Sequence, residues 1–180
     1  MEISATKRKK IFRESNYLRR YPSELKLVKT IGTLSEQGIA EVQIKYLRNP
    51  SETKPIIVKN STIAVEAYRT FFEGIEHRES CYLILLNRAS EIIGFFLVSV
   101  GGITASVVDQ RIIFQAALLS NSTAIILAHN HPSGNLEPSF ADYELTQRIK
   151  SAGKFLDLPL LDHIIITRDS YFSFADEGKL

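Results

Sequence analysis

Residues 126–146 read ILAHNHPSGNLEPSFADYELT, and this stretch constrains the fold more than any other. The run from Thr123 to Ala128 is short and almost wholly apolar, as strands buried inside a sheet are. It leads straight into His129-Asn130-His131, passes through Pro132, Gly134 and Pro138, and regains a regular pattern at Ser139. Tyr143, Leu145, Ile149 and Ala152 then fall among the apolar positions of an amphipathic helix, predicted over Ser139 to Ala152 with Gly153 where it would stop. A buried strand, a tight loop and a capped helix follow one another. The order leaves few folds open.

The rest of the chain extends that alternation. Glu41 to Leu47 alternates polar and apolar residues like a half-buried strand, and Asn49 to Pro55 has the composition of a loop. Ser61 can cap a helix running to about Gly74, with Ala64, Val65, Tyr68 and Phe72 at helical spacing. Strands are predicted over Ser80 to Leu86 and Glu91 to Val100, joined by a turn at Asn87 to Ser90. Asp109 starts a further helix to about Ser120, and His163 to Thr167 and Tyr171 to Phe174 read as closing strands around a turn. The expected class is α/β or α+β, a mixed β-sheet flanked by helices. Three parts are expected: a basic leader over 1–25, an extension with one strand over 26–55, and a single domain over 56–180.

Composition narrows the setting. Hydrophobic residues make up 44% and charged residues 23%, ordinary for a soluble globular protein. The apolar runs are too short to span a bilayer, and the N-terminal basic residues lack the apolar core of a secretory signal. Cys81 is the single cysteine, which excludes an internal disulfide and fits a reducing, cytoplasmic setting. Residues 1–25 hold seven basic residues (Lys7, Arg8, Lys9, Lys10, Arg13, Arg19, Arg20) against Glu2, Glu14 and Glu24, so they carry +4 of the chain's net +2 and the remainder sums to −2. Such a leader is either a solvated tail or a contact for nucleic-acid phosphates.

The chemistry concentrates in the quoted stretch. In extended backbone, residues two apart point to one side, so His129 and His131 can face one metal ion. Asp142 falls in the first turn of the helix that leaves the same loop. Two imidazoles and a carboxylate make a three-ligand zinc set with a fourth position for water, the pattern of a catalytic site. Ser139 and Asp142 also satisfy the S-x-x-D capping box with no metal at all, and both roles can hold together. Capping leaves the histidine pair unexplained. A base for the zinc water must come from elsewhere, and Glu79, just ahead of a strand able to neighbour Thr123 to Ala128, is the leading candidate over Glu73, Glu76 and Glu91.

His129-Asn-His131, seven residues, Ser139, two residues and Asp142 resemble the metal motif of the JAMM (JAB or MPN+) zinc metalloproteases. The longer string LAHNHPSGNLEPSFAD, with LDHIIIT downstream, is similar to the RadC branch of that family, once named as DNA repair proteins; the likeness covers about Ile56 to Leu180. It implies a JAB/MPN fold related to cytidine deaminases, Zn2+ held by His129, His131 and Asp142, an oxyanion contact from Ser139, and Glu79 as general acid/base. Glu79 rests on the looser match of HRESCYLILLN. Full-length RadC proteins usually carry a helix-hairpin-helix module, and residues 1–55 show no such pattern. Asp162 and His163 recur in the downstream motif as packing or as support for the site.

Two functions follow as expectations. The first is a zinc metallopeptidase acting on a peptide or protein substrate. The second is a DNA-associated repair accessory protein whose zinc domain mainly binds, with the basic leader touching nucleic acid. A nucleobase deaminase is disfavoured, because those zinc sites use cysteine ligands and the chain has no C-x-x-C pair. No membrane partner is expected.

Overall fold

The computed structural model describes residues 55–71, 77–101 and 108–180. The expected leader over 1–25 and the strand at Glu41 to Leu47 lie outside the described residues, as do the end of the first helix towards Gly74 and the competing acids Glu73 and Glu76.

Among the described residues, three helices and five strands follow in the order α1 (Ser61–Phe71), β1 (Ser80–Leu86), β2 (Ile92–Val100), α2 (Gln110–Leu119), β3 (Ala124–Asn130), α3 (Phe140–Phe155), β4 (Leu160–Ile166) and β5 (Tyr171–Ser173). The strands form one sheet in the order β2-β1-β3-β4-β5. Only β3 and β4 run parallel, with α3 as the crossover that a parallel pair requires. This is the mixed α+β sheet that the alternation of elements predicts.

Burial explains the patterns. Every residue of β1 is buried, because the strand lies inside the sheet with helices over both faces. Tyr82, Ile84 and Leu86 pack with Ala64, Val65 and Tyr68 of α1. The intervening Cys81, Leu83 and Leu85 pack with Ile113 and Ala117 of α2 and with Leu145 and Ile149 of α3. The period of two therefore sorts one apolar run onto two cores. At the hairpin, the Asn87 side chain accepts from the Ala89 and Glu91 amides and donates to the Glu91 carboxylate at 2.7 Å. Glu91 is thereby engaged in closing the turn.

Among the boundaries that differ from the sequence reading, two have a clear physical cause. Helix α3 does not stop at Gly153 but continues to Phe155. Glycine is needed there for another reason: a Cβ would lie 2.3 Å from the carbonyl oxygen of Leu158, whose amide donates to the Gly153 carbonyl. Strand β4 starts at Leu160 rather than His163, since Leu160 and Asp162 already pair with Ile125 and Ile126 of β3. Asp162 and His163 interrupt the apolar run in the sequence, which hides Leu160 and Leu161 from a strand reading. Among the described residues no helix is long and apolar enough to cross a membrane.

Candidate metal centre

Strand β3 carries His129 and Asn130 as its last two residues, two positions further than the apolar run suggests. His131 follows, and its amide donates to the Ile166 carbonyl at 2.9 Å, so the chain holds its extended course past the strand end. Both imidazoles therefore leave the same face. Their Nε2 atoms lie 3.0 Å apart. The loop then turns back at Gly134, whose φ of +79° lies in the left-handed region that glycine adopts without strain. Its amide donates to the His131 carbonyl at 3.1 Å.

Helix α3 begins with the expected capping box. Ser139 is the N-cap; its Oγ accepts from the Asp142 amide, and the Asp142 carboxylate accepts from the Ser139 amide at 2.8 Å and from its hydroxyl at 2.6 Å. All the capping contacts on the carboxylate fall on Oδ2. The other oxygen, Oδ1, lies 3.2 Å from His129 Nε2, and Oδ2 is 3.9 Å from His131 Nε2. One side chain thus closes the helix and faces both imidazoles. Burial pushes the Asp142 carboxyl pKa up, but the adjacent His129 ring and the bonds from Ser139 outweigh it and hold the group well below the usual carboxylate range.

His129, His131 and Asp142 each offer a ligand atom, all within 4.8 Å of one another. His131 turns Nδ1 to the Asn135 carbonyl at 2.7 Å. A carbonyl only accepts, so Nδ1 carries the proton and Nε2 presents a lone pair to the cluster. Two imidazole nitrogens and an anionic oxygen converging on one point are a donor set suited to zinc.

The sequence as a whole agrees with the local geometry. A sequence profile of the RadC-like JAB domain matches residues 58–179. The chain belongs to that family. A UPF0758 protein of Pelodictyon phaeoclathratiforme is 36% identical over 87% of this chain and 71% of its own length. UPF0758 proteins of Flavobacterium johnsoniae and Porphyromonas gingivalis are 46% and 40% identical, over 56% and 74% of this chain. This chain covers 44% and 60% of their lengths, so it spans about half the length of such relatives.

Within the RadC-like domain, β1 runs antiparallel to β3 with Cys81 opposite His129, which brings Glu79 to the same end of the sheet. The alternation of β1 puts Leu85, Leu83 and Cys81 on the face that carries the histidines, and Glu79 stands two residues before Cys81, just ahead of the strand. It is half-buried and stands outside the three-residue ligand cluster. Among its rivals, Glu91 is occupied in the hairpin, while Glu137 in the loop and Glu144 on α3 are exposed.

The sequence pattern assigns no role to Asn130, which lies between the two histidines. Its side chain accepts from the Ser80 amide and donates to the Arg78 carbonyl, each at 2.8 Å, fixing the backbone on both sides of Glu79. Adjacent Asp162 and His163 separate onto different tasks. Asp162 accepts from the Ser173 hydroxyl at 2.6 Å and the Ala175 amide at 3.0 Å, securing the C-terminal turn. His163 is fully buried, stacks on Phe174 at 4.9 Å, and reaches His129. It packs and touches the cluster at once.

Proposed function

We propose that this chain is a zinc-dependent hydrolase that cuts amide bonds in a peptide or protein substrate. The observation that carries the reading is the convergence of His129 Nε2, His131 Nε2 and the Asp142 carboxylate within 4.8 Å. Zinc held by these three would act as a Lewis acid, lowering the pKa of a water to about 7 and polarising a carbonyl. Glu79 takes a proton from the attacking water as its oxygen bonds to the carbonyl carbon, and returns it to the amine as the C–N bond breaks. Ser139 swings its hydroxyl from Asp142 to the carbonyl oxygen and donates to the charge that develops there. The Asp142 carboxylate keeps the Ser139 amide as a partner when this happens.

The test has two steps. Purified protein should hold about one zinc per chain, and His129→Ala should lose it. Glu79→Gln should keep the metal and lose hydrolysis of a fluorogenic peptide library by about a hundredfold or more. A metal-free wild type ends the proposal, and a Glu79→Gln enzyme at full rate removes Glu79 from it.

A nucleic-acid role has one feature in its favour, the +4 charge of residues 1–25. Binding to duplex DNA that weakens steeply with salt and depends on Lys7 to Arg20 would support it. Salt-insensitive binding would not.

A further inference from the structure

Behind the cluster lies a row of polar groups that the hydrolytic scheme does not use. Thr146 and His163 are both fully buried. Thr146 Oγ1 sits 2.6 Å from the Asp142 carbonyl oxygen, one helical turn back, and 2.6 Å from His163 Nδ1. On its other side, His163 Nε2 sits 2.9 Å from His129 Nδ1.

The protons in this row can be placed by counting. The Asp142 carbonyl can only accept, so it takes the single proton of the Thr146 hydroxyl. Thr146 must then accept from His163, whose proton is therefore on Nδ1. A neutral imidazole protonated at Nδ1 has a lone pair at Nε2, so His129 must donate from its own Nδ1. His129 Nε2 is left bare and faces His131 and Asp142. His163 is fully enclosed by protein, and the neutral ring that the count requires is the form such an apolar setting favours.

We propose that Thr146 and His163 are positioning residues for the metal centre: their one-way chain of hydrogen bonds locks His129 in the tautomer that offers Nε2, and ties that ring to the helical turn carrying Asp142. The inference rests on the zinc reading above and deepens it. Histidine ligands usually donate their second N–H to a carboxylate, a carbonyl or a water. His131 follows that habit with the Asn135 carbonyl. His129 has a buried imidazole in that place, and an imidazole can accept or donate at Nε2. Thr146 removes the ambiguity, because its own proton is already committed to Asp142. The stack of His163 on Phe174, with ring planes 11° apart, holds the accepting ring in place.

The decisive variants keep shape and remove the chain. Thr146→Val deletes the hydroxyl at nearly constant volume, and His163→Phe keeps a ring against Phe174 without an acceptor for His129. Zinc affinity, read by competition with a chromophoric chelator, should fall about ten- to a hundredfold in each. Thr146→Ser, which restores the hydroxyl, should recover most of the loss. Ile149→Val, on the same helix and fully buried, serves as the packing control. It should lower the melting temperature of the metal-free protein while leaving zinc affinity unchanged. Thr146→Val and His163→Phe proteins that bind zinc like wild type would overturn the relay and leave the metal centre standing. A wild type that takes up no zinc would overturn both.

Discussion

On the side of the sheet that faces α1, the strands bury Tyr82, Ile84, Leu86, Ile126, Ala128 and Ile164, and the alternation of β4 adds one carboxylate, the buried Asp162 paired with Ile126. On the opposite side the same strands bury Leu83, Leu85, Ile125 and Leu127 against α2 and α3 and then, at one end, His129 and His163 beside Thr146. The two cores are made by alternate residues of the same segments. Their difference shows what burying polar groups demands. A buried imidazole that lacks partners loses its solvation for nothing, so the polar end must be a closed set in which each group answers the next. The α1 side meets that requirement once, where Asp162 is answered by the Ser173 hydroxyl and the Ala175 amide, and its remaining positions carry stability.

Substitutions can pull those two roles apart. Ile84→Ala empties a fully buried position on the apolar side, and unfolding in urea should show a loss of about 2–5 kcal/mol. The surviving folded protein should bind zinc as wild type does, since Ile84 belongs to the core on the other side from His129. A large change in zinc affinity would mean that the two sides are not separable.

Ser139→Ala should cost less, about 1 kcal/mol, because it removes an N-cap hydroxyl and leaves the Ser139 amide bonded to Asp142. Ser139→Gly sharpens the question. Glycine is tolerated at N-cap positions with a penalty of only a few tenths of a kcal/mol. It should restore most of the stability yet remain as slow in hydrolysis as Ser139→Ala. Recovery of activity along with stability would reduce Ser139 to a cap.

The legible part of this molecule is the part written in short-range patterns. Histidines two apart on a strand, and an acid three residues after an N-cap serine, depend on local geometry alone. That is why His129, His131 and Asp142 could be placed together before any fold was known. The apolar run of β1 could likewise be recognised as an interior strand. What was hidden needed register. Whether Glu79 reaches the histidines depends on β1 pairing with β3 through Cys81 and His129, fifty residues of sequence away from anything local. The role of Asn130 is hidden in the sequence because its partners, the Arg78 carbonyl and the Ser80 amide, lie at the start of β1, far away along the chain. Gly153 looked like a helix stop for the same reason: the close approach of Leu158 that requires glycine is visible only once the chain has folded back.

The smallest expected effect separates the adjacent pair Asp162 and His163. Asp162 is buried away from the histidines, and burial raises its carboxyl pKa against the bonds it accepts from Ser173 and from the Ala175 and His163 backbone, with the charge of Asp176 adding to the rise. A carboxyl whose folded pKa is raised binds a proton in the folded state before the unfolded state does. Its contribution is therefore complete below the unfolded value of 3.8 and is lost as pH rises through the folded value. Asp162→Asn has no such titration, and its amide oxygen can still accept from the Ala175 amide. Urea unfolding of the two proteins across a pH series should show wild type gaining on the variant as pH falls from neutral towards 4, with zinc affinity at pH 7 the same in both. If the gap stays flat or moves the other way, the carboxylate is better accommodated than its burial implies. If zinc affinity falls as it should in His163→Phe, Asp162 belongs with the metal centre and the sheet's two sides meet at this residue after all.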